Sequence, residues 1–319
     1  MPFAITLEVY EMPNKNPSGM SHSGIECLRR CPKRFWFSYR AGGNGILATR
    51  RPIYFDIGSA YHEAMEFIGR VWNEHQEDDL VQILSNGIAD VVKGYTEVCG
   101  DRVDADSKDL IYTHATGLAY AHAEYFLARC QDWKFVAVEK DFETKMLDET
   151  LRGRVDAIAT LEGRTWLVEH KALSHVSDNF IDVVPRDAQV LRYANALRKG
   201  GIPISGVIYT VGLKCALRLK KSESNPEFLA RIAKHYKEEE ATTIKHFQVL
   251  LDKSDLERCE AETAETLAEI RTRDVSNKWT QYTGGCENKY DVCEFMRVCL
   301  QQPWDGNSEV PPGFSAKHK

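Results

Sequence analysis

Apolar residues recur at helical spacing from Ser21 to Tyr39, where Ile25, Leu28 and Phe35 mark one side and Pro32 marks a break or a new first turn. A second helix is expected from Gly58 and Ser59, because Ser59 can cap it and Tyr61, Met65, Ile68 and Trp72 follow at a 3.6-residue period. Helical patterning continues from Asp79 to Tyr95 and from Leu110 to Cys130, on either side of the polar stretch Gly100 to Lys108. At Phe135 the period drops to 2. Phe135 to Phe142, Arg154 to Leu161 and Thr165 to Leu173 read as strands, the last two joined by a turn of Glu162, Gly163 and Arg164. A helix from Arg186 to Lys199, a strand from Ile204 to Val211 and a partner strand from Cys215 to Lys220 complete the centre. Helix returns from Pro226 to Thr272, and beyond Pro303 a polar, proline-containing tail is expected to fray. There is no internal repeat. The pattern predicts an α/β chain: a mainly helical part to residue 130, a sheet core over 131–222, and helices with a cysteine cluster over 223–300. These make one domain over 1–300, followed by a tail at 301–319.

The 319 residues are 43% hydrophobic and 28% charged, enough to bury a large core and incompatible with wholesale disorder. A formal charge of -6 argues against an unspecific polycationic coat for nucleic acid but allows a local basic channel. Two acid-free stretches could line one. From Cys27 to Pro52, seven arginines and lysines interleave with Phe35, Trp36, Phe37 and Tyr39, which suits phosphate contacts with base stacking or, equally, the core and solvent sides of one helix. From Ala188 to Ser222 the basic residues are Arg192, Arg198, Lys199, Lys214, Arg218, Lys220 and Lys221. Met1 to Asn16 lacks a basic and then apolar leader, and no window approaches the roughly 18 apolar residues of a membrane span, so a cytoplasmic protein is expected. Nine cysteines in a reducing compartment then point to metal or cluster ligation rather than disulfides. No phosphate-binding Gly-x-x-x-x-Gly-Lys-Ser/Thr loop is present, hence no recognisable ATP motor.

Candidate chemistry concentrates in the strands. Period 2 puts Thr165, Leu167, Glu169 and Lys171 on one face and Trp166, Val168, His170 and Ala172 on the other. Arg154, Asp156 and Ile158 share a face of the preceding strand, so the hairpin can set Asp156 beside Glu169. Two such carboxylates repel unless a cation lies between them, and a hard divalent ion such as Mg²⁺ would serve. A solvated acidic pair with Lys171 as counter-ion is the other reading. Near the C-terminus, Cys286, Cys293 and Cys299 are separated by six and five residues, without the Cys-x-x-Cys knuckles of zinc ribbons. Cys27 and Cys31 lie near the N-terminus, while Cys99, Cys130, Cys215 and Cys259 fit ordinary buried thiols.

The order of these residues resembles the PD-(D/E)XK nuclease superfamily, in particular its RecB-like branch, which includes CRISPR-associated iron-sulfur exonucleases and many phage exonucleases. His62, then Gly153-Arg154-Val155-Asp156, then Glu169-His170-Lys171, then Gln189 and Tyr193 match its motifs, and the resemblance covers most of the span from Ser21 to Cys299. It implies a restriction-endonuclease-like mixed sheet flanked by helices. It also implies Mg²⁺ or Mn²⁺ held by Asp156, Glu169, the main-chain carbonyl of His170 and His62. Lys171 would orient water or stabilise negative charge, with Gln189 and Tyr193 beside the DNA, and Glu139 matches an acidic position often seen in these enzymes. A [4Fe-4S] cluster on Cys31, which precedes Pro32, and on Cys286, Cys293 and Cys299 would clasp the two ends of the chain, with Cys27 as a spare ligand. The gap of six residues after Cys286 is longer than the family's commonest gap of two. The implied activity is that of a DNA exonuclease acting at single-stranded ends in recombination, repair or phage DNA processing. It would work alone or beside a separate helicase, recombinase or CRISPR adaptation protein. The alternatives are a catalytically silent DNA-binding or complex-assembly protein that keeps fold and cluster, and a nuclease stapled by zinc.

Overall fold

A computed structural model describes residues 19–49, 52–74, 77–146, 149–183, 186–287, 292–301, 303–306 and 308–317. The Met1 to Asn16 stretch, Arg50 and Arg51 lie outside these. In chain order the elements are β1 (Met20–Ser21), α1 (His22–Arg30), α2 (Pro32–Tyr39), β2 (Ile46–Ala48), α3 (Ile53–Trp72), α4 (Glu77–Val98) and α5 (Ala105–Arg129). Then come β3 (Lys134–Met146), β4 (Glu149–Leu161), β5 (Arg164–Leu173), α6 (Phe180–Val183), α7 (Ala188–Lys199) and β6 (Ile204–Leu213). The chain continues with α8 (Asn225–Glu238), α9 (Glu240–Thr243), β7 (Ile244–Leu250), α10 (Lys253–Ser276) and β8 (Phe314–Ala316). No helix among the described residues is long and apolar enough to cross a membrane.

Pro32 does break the first helical run: it opens α2, and Cys31 before it is extended at φ -167° and ψ 120°. α3 starts six residues before the expected cap, after Pro52. Ser59 lies inside it and donates from Oγ to the Phe55 carbonyl at 3.0 Å. The run from Pro226 to Thr272 is not one helix. β7 interrupts it and takes the place beside β6 that the Cys215 to Lys220 segment was expected to fill. That segment alternates apolar and basic residues, yet it forms neither strand nor helix. The C-terminal tail does not simply fray, because β8 pairs with β2 and Trp304 is buried against Phe37.

Among the described residues six strands form one mixed sheet. β3 runs antiparallel along one edge of β4 from Lys134↔Thr160 to Met146↔Glu149. The other edge of β4 is shared: β1 pairs with Leu151 and Arg152, and β5 pairs from Ala157 to Leu161. Residues 153–156 therefore lie where this edge is unpaired. β5 continues past the split by pairing parallel with β6 as far as Leu213, and α7 makes the crossover between them. One face of the sheet packs on α3, α4, α5 and α8 through Trp166, Val168, Ile208, Tyr61, Ile68 and their neighbours. The other packs on α7 and α10 through Leu167, Val207, Val190, Leu197 and Leu256. Period 2 in β5 thus sorts its residues as expected. In β4 it does not, since Ile158 joins Val155 on the α7 side while Asp156 reaches α3.

The cluster from Cys27 to Tyr39 is mostly structural. Phe35 and Phe37 are fully buried, and Phe37 stacks on Phe295 with ring centroids 5.3 Å apart. Two of its cations and the arginine that follows it are paired: Arg29 with Glu262, Arg34 with Glu294 and Arg40 with Asp274. Arg192 is likewise buried, donating to Glu26 at 2.9 Å and Thr263 at 3.0 Å, and so ties α7 to α1 and α10 instead of lining a channel.

Candidate functional site

The gap in the β4 edge creates the site. With no strand opposite, Asp156 accepts the main-chain N–H of His170 on its own Oδ2 at 2.8 Å, one step beyond the last β4–β5 pair. Its Oδ1 lies 3.6 Å from Nδ1 of His62 on α3. On the other edge, the register that pairs Val138 with Ala157 and Lys140 with Val155 sets Glu139 opposite Asp156. Glu139 has φ 47°, a left-handed conformation unusual for a residue with a side chain, and such strain concentrates at functional positions. Among the described residues, His62, Glu139 and Asp156 present ligand atoms that all lie within 4.8 Å of one another. Beside them opens a cavity of about 390 Å³ lined by His62, Glu66, Arg70, Glu139 and Arg154.

Glu169 is almost fully buried on the α7 side. Its Oε1 is 2.5 Å from Nζ of Lys171, and its Oε2 has no hydrogen-bond partner. A buried acceptor left unsatisfied costs on the order of 1–3 kcal/mol, which a cation would recover. The electrostatics agree. Burial, then repulsion from Asp156, pushes the Glu169 carboxyl above its ordinary value. Burial, then Asp156 and Glu66, pushes Glu139 up to about 7. Burial opposes charge on Asp156 too, but His62 beside it holds its carboxyl below the usual range. Two carboxylates and an imidazole at one point, with a third carboxylate that feels the charge of Asp156 and has one oxygen orphaned, fit a hard divalent cation such as Mg²⁺ or Mn²⁺.

Lys171 also reaches Gln189 Oε1 at 3.3 Å, so the acid, the lysine and α7 form one chain of contacts. Asp187 caps α7 by accepting from the Gln189 N–H at 2.9 Å, and its other oxygen accepts from the Tyr209 hydroxyl at 2.8 Å, which fixes where the helix starts. Tyr193, one turn on, is buried. A Cβ on Gly153 would lie 2.6 Å from the Phe142 ring and 2.9 Å from that of Tyr193, so only glycine lets both rings close over β4. The Nδ1 of the His170 ring pairs with Thr210, and the ring lies 5.9 Å from that of His122 and 6.5 Å from that of His62. Of the sequence candidates, His62 and Asp156 lie together with Glu139, while hydrogen bonds join Glu169, Lys171 and Gln189 on the α7 side. Glu139, which the sequence offered only as a match to an acidic family position, is set opposite Asp156 by the β3–β4 register.

Cys31, Cys286 and Cys299 lie near one another at the joined ends of the chain. The Tyr282 N–H donates to Cys31 Sγ at 3.4 Å, Gln281 donates to Cys299 Sγ at 3.2 Å, and the Cys293 N–H donates to the Cys286 carbonyl at 2.7 Å. Burial raises the Cys299 thiol pKa, and Cys31 and Cys286 add to the shift, as expected for neighbouring sulfurs. Gly285 passes so close to α1 that a Cβ there would lie 2.6 Å from the Arg30 carbonyl. Cys27 instead contacts Ser38 at 3.8 Å. All four terminal cysteines are free thiols, and N–H donors aimed at sulfur suit thiolate ligation of a cluster.

Among curated proteins none matches the chain. It is similar to the solved structure titled "Crystal structure of SSO0001", at 12% identity over 91% of this chain and 89% of that chain, with a TM-score of 0.35. The family model of the PD-(D/E)XK nuclease superfamily matches residues 19–300, which include every residue of both sites. With the mixed sheet, the split β4 edge and the acidic site at the split, this match means that the chain belongs to the PD-(D/E)XK nuclease superfamily.

Proposed function

We propose that this protein is a metal-dependent DNA exonuclease of the RecB-like iron-sulfur branch that digests single-stranded ends. In this reading His62, Glu139, Asp156, Glu169 and the main chain of His170 hold Mg²⁺ or Mn²⁺, while Cys31, Cys286, Cys293 and Cys299 hold a [4Fe-4S] cluster. The observation that carries it is the orphaned, buried Oε2 of Glu169 beside the His62, Glu139 and Asp156 trio. A divalent ion held by these residues would neutralise phosphate charge and lower the pKa of a water. Burial disfavours the Lys171 ammonium, but the Glu169 carboxylate more than restores it, so Nζ keeps its proton and can donate to a phosphate oxygen as charge develops. Gln189 holds that ammonium from the other side. Burial, then Glu169, pushes the Tyr193 phenol up to about 12, so it too stays protonated as a donor.

End-labelled single-stranded DNA incubated with Mg²⁺ or Mn²⁺ tests the reading. The wild type should digest linear strands and spare single-stranded circles, and Asp156→Ala and Lys171→Ala should each lose about a hundredfold or more in rate. Undiminished cleavage by either variant refutes the assignment, and cleavage of circles refutes the exonuclease. For the cluster, the protein should be brown and bleach on reduction; a colourless protein containing zinc overturns that part.

A further inference from the structure

Two large aromatic side chains stand in solvent at the start of α3. Tyr54 is 45% and Phe55 50% exposed, with ring centroids 4.5 Å apart. Phe55, Ser59, His62 and Glu66 are spaced to share one helix face. Seven residues of rise, about 10 Å, separate Phe55 from His62. A base stacked at Phe55 would therefore belong to a nucleotide near the phosphate at the metal site, not to that phosphate itself.

A cation adjoins the pair. Lys214 Nζ lies 5.8 Å from the Tyr54 ring centroid, and its main-chain N–H donates to the Leu173 carbonyl at 2.7 Å, at the end of the strand that carries Glu169 and Lys171. From Lys214 begins the acid-free segment in which residues 216–221 are all exposed and Leu217 and Leu219 alternate with Arg218 and Lys220. The segment is pinned: the Cys215 N–H donates to the Tyr236 hydroxyl at 2.8 Å and Arg231 donates to the Arg218 carbonyl at 2.9 Å. Lys214 heads this pinned basic and apolar run and adjoins two solvent-facing rings, which combines phosphate attraction with stacking surface, the pairing that single-stranded nucleic acid requires. Of the aromatics of α2, Phe35 and Phe37 cannot serve, because they are consumed by the core.

We propose that Tyr54, Phe55, Lys214 and the 216–221 segment form a base-stacking subsite for the single strand that leads to the metal site. The destination of that strand rests on the nuclease reading, whereas the subsite has its own readout in binding. The test uses the full chain with Ca²⁺, a 12-residue oligothymidylate, the same strand with abasic spacers, and strands carrying 2-aminopurine at successive positions. Wild-type protein should bind the oligothymidylate about tenfold or more tightly than the abasic strand and quench 2-aminopurine at one or two adjacent positions only. The Tyr54→Leu/Phe55→Leu protein, altered only at exposed side chains, should lose both the preference and the quench. Lys214→Gln should lower the slope of log affinity against log salt by about 0.7. Wild-type preference and quench in the double variant overturn the proposal, as does a wild type that binds both strands equally. A protein that shows the preference and quench but cleaves nothing with Mg²⁺ or Mn²⁺ supports the subsite and refutes the nuclease reading alone.

Discussion

Replacing Glu139 by glutamine separates ligand from scaffold. In the folded, metal-free protein burial, then the nearby carboxylates, raises its pKa from 4.5 to about 7. A raised acid favours the folded state while protonated. That contribution is present below pH 4.5 and is lost as pH rises through 7. At about 1.4 kcal/mol per pH unit, a charged Glu139 at pH 8 costs the fold roughly 3 kcal/mol. Partial hydration reduces this to about 1–3 kcal/mol. Glutamine has the same shape and no charge, so Glu139→Gln in chelator at pH 8 should unfold roughly 2–6 °C higher than wild type. At pH 5 the difference should fall below about 1 kcal/mol, since the native carboxyl is then protonated. Mn²⁺ should reverse the order: the wild type gains about 2.7 kcal/mol at a hundredfold excess over its dissociation constant, and the variant gains less. Differential scanning fluorimetry at both pH values, with and without Mn²⁺, reads all four cases. A variant less stable than wild type in chelator at pH 8, or one with the full Mn²⁺ gain, refutes the assignment of Glu139 to the metal site.

Gly153→Ala should cost about 1–3 kcal/mol in urea unfolding, because the new methyl meets the Phe142 and Tyr193 rings at under 3 Å, and should lower cleavage further by displacing Tyr193. Arg192→Ala should destabilise by about 2–4 kcal/mol while leaving the salt dependence of DNA binding unchanged, which a filter-binding salt series would check against the channel role that its charge suggests. His114, whose pKa burial lowers to about 4, stays neutral in the fold; its own contribution, read as the difference between wild type and His114→Gln, should not change above pH 6.5 and should shift against the wild type by up to roughly 3 kcal/mol as pH drops from 6.5 to 4. Cys31→Ala should lose the visible absorption of the cluster and most of its iron, while Cys27→Ala should keep both, measured by spectrum and iron content.

Linear order was sufficient for much of the site. His62, Glu169, Lys171, Gln189 and Tyr193 each sit on an element whose period or cap sets the direction of the side chain, and the β5 alternation sends Glu169 and Lys171 to the α7 face as read. What strand period alone could not supply was the fate of β4. Its alternation fails at Asp156 because β1 and β5 share one edge and leave a gap, and a gap is a property of three strands together. Glu139 follows from that same register. The Cys215 to Lys220 segment alternates like a strand, but β7 already satisfies the hydrogen bonds of the β6 edge.

The sequence by itself determined the class of fold, the order of chemical residues and the break at Pro32, since backbone propensity, capping and side-chain period are local. Tertiary structure decided which charges are free. Arg29, Arg34, Arg40 and Arg192 are committed to acids on distant elements, and Phe35 and Phe37 to the core, whereas Tyr54, Phe55 and the 216–221 segment face solvent. A charge or a ring becomes available to a ligand only when nothing folded beside it has already satisfied it, and that depends on contacts hundreds of residues apart.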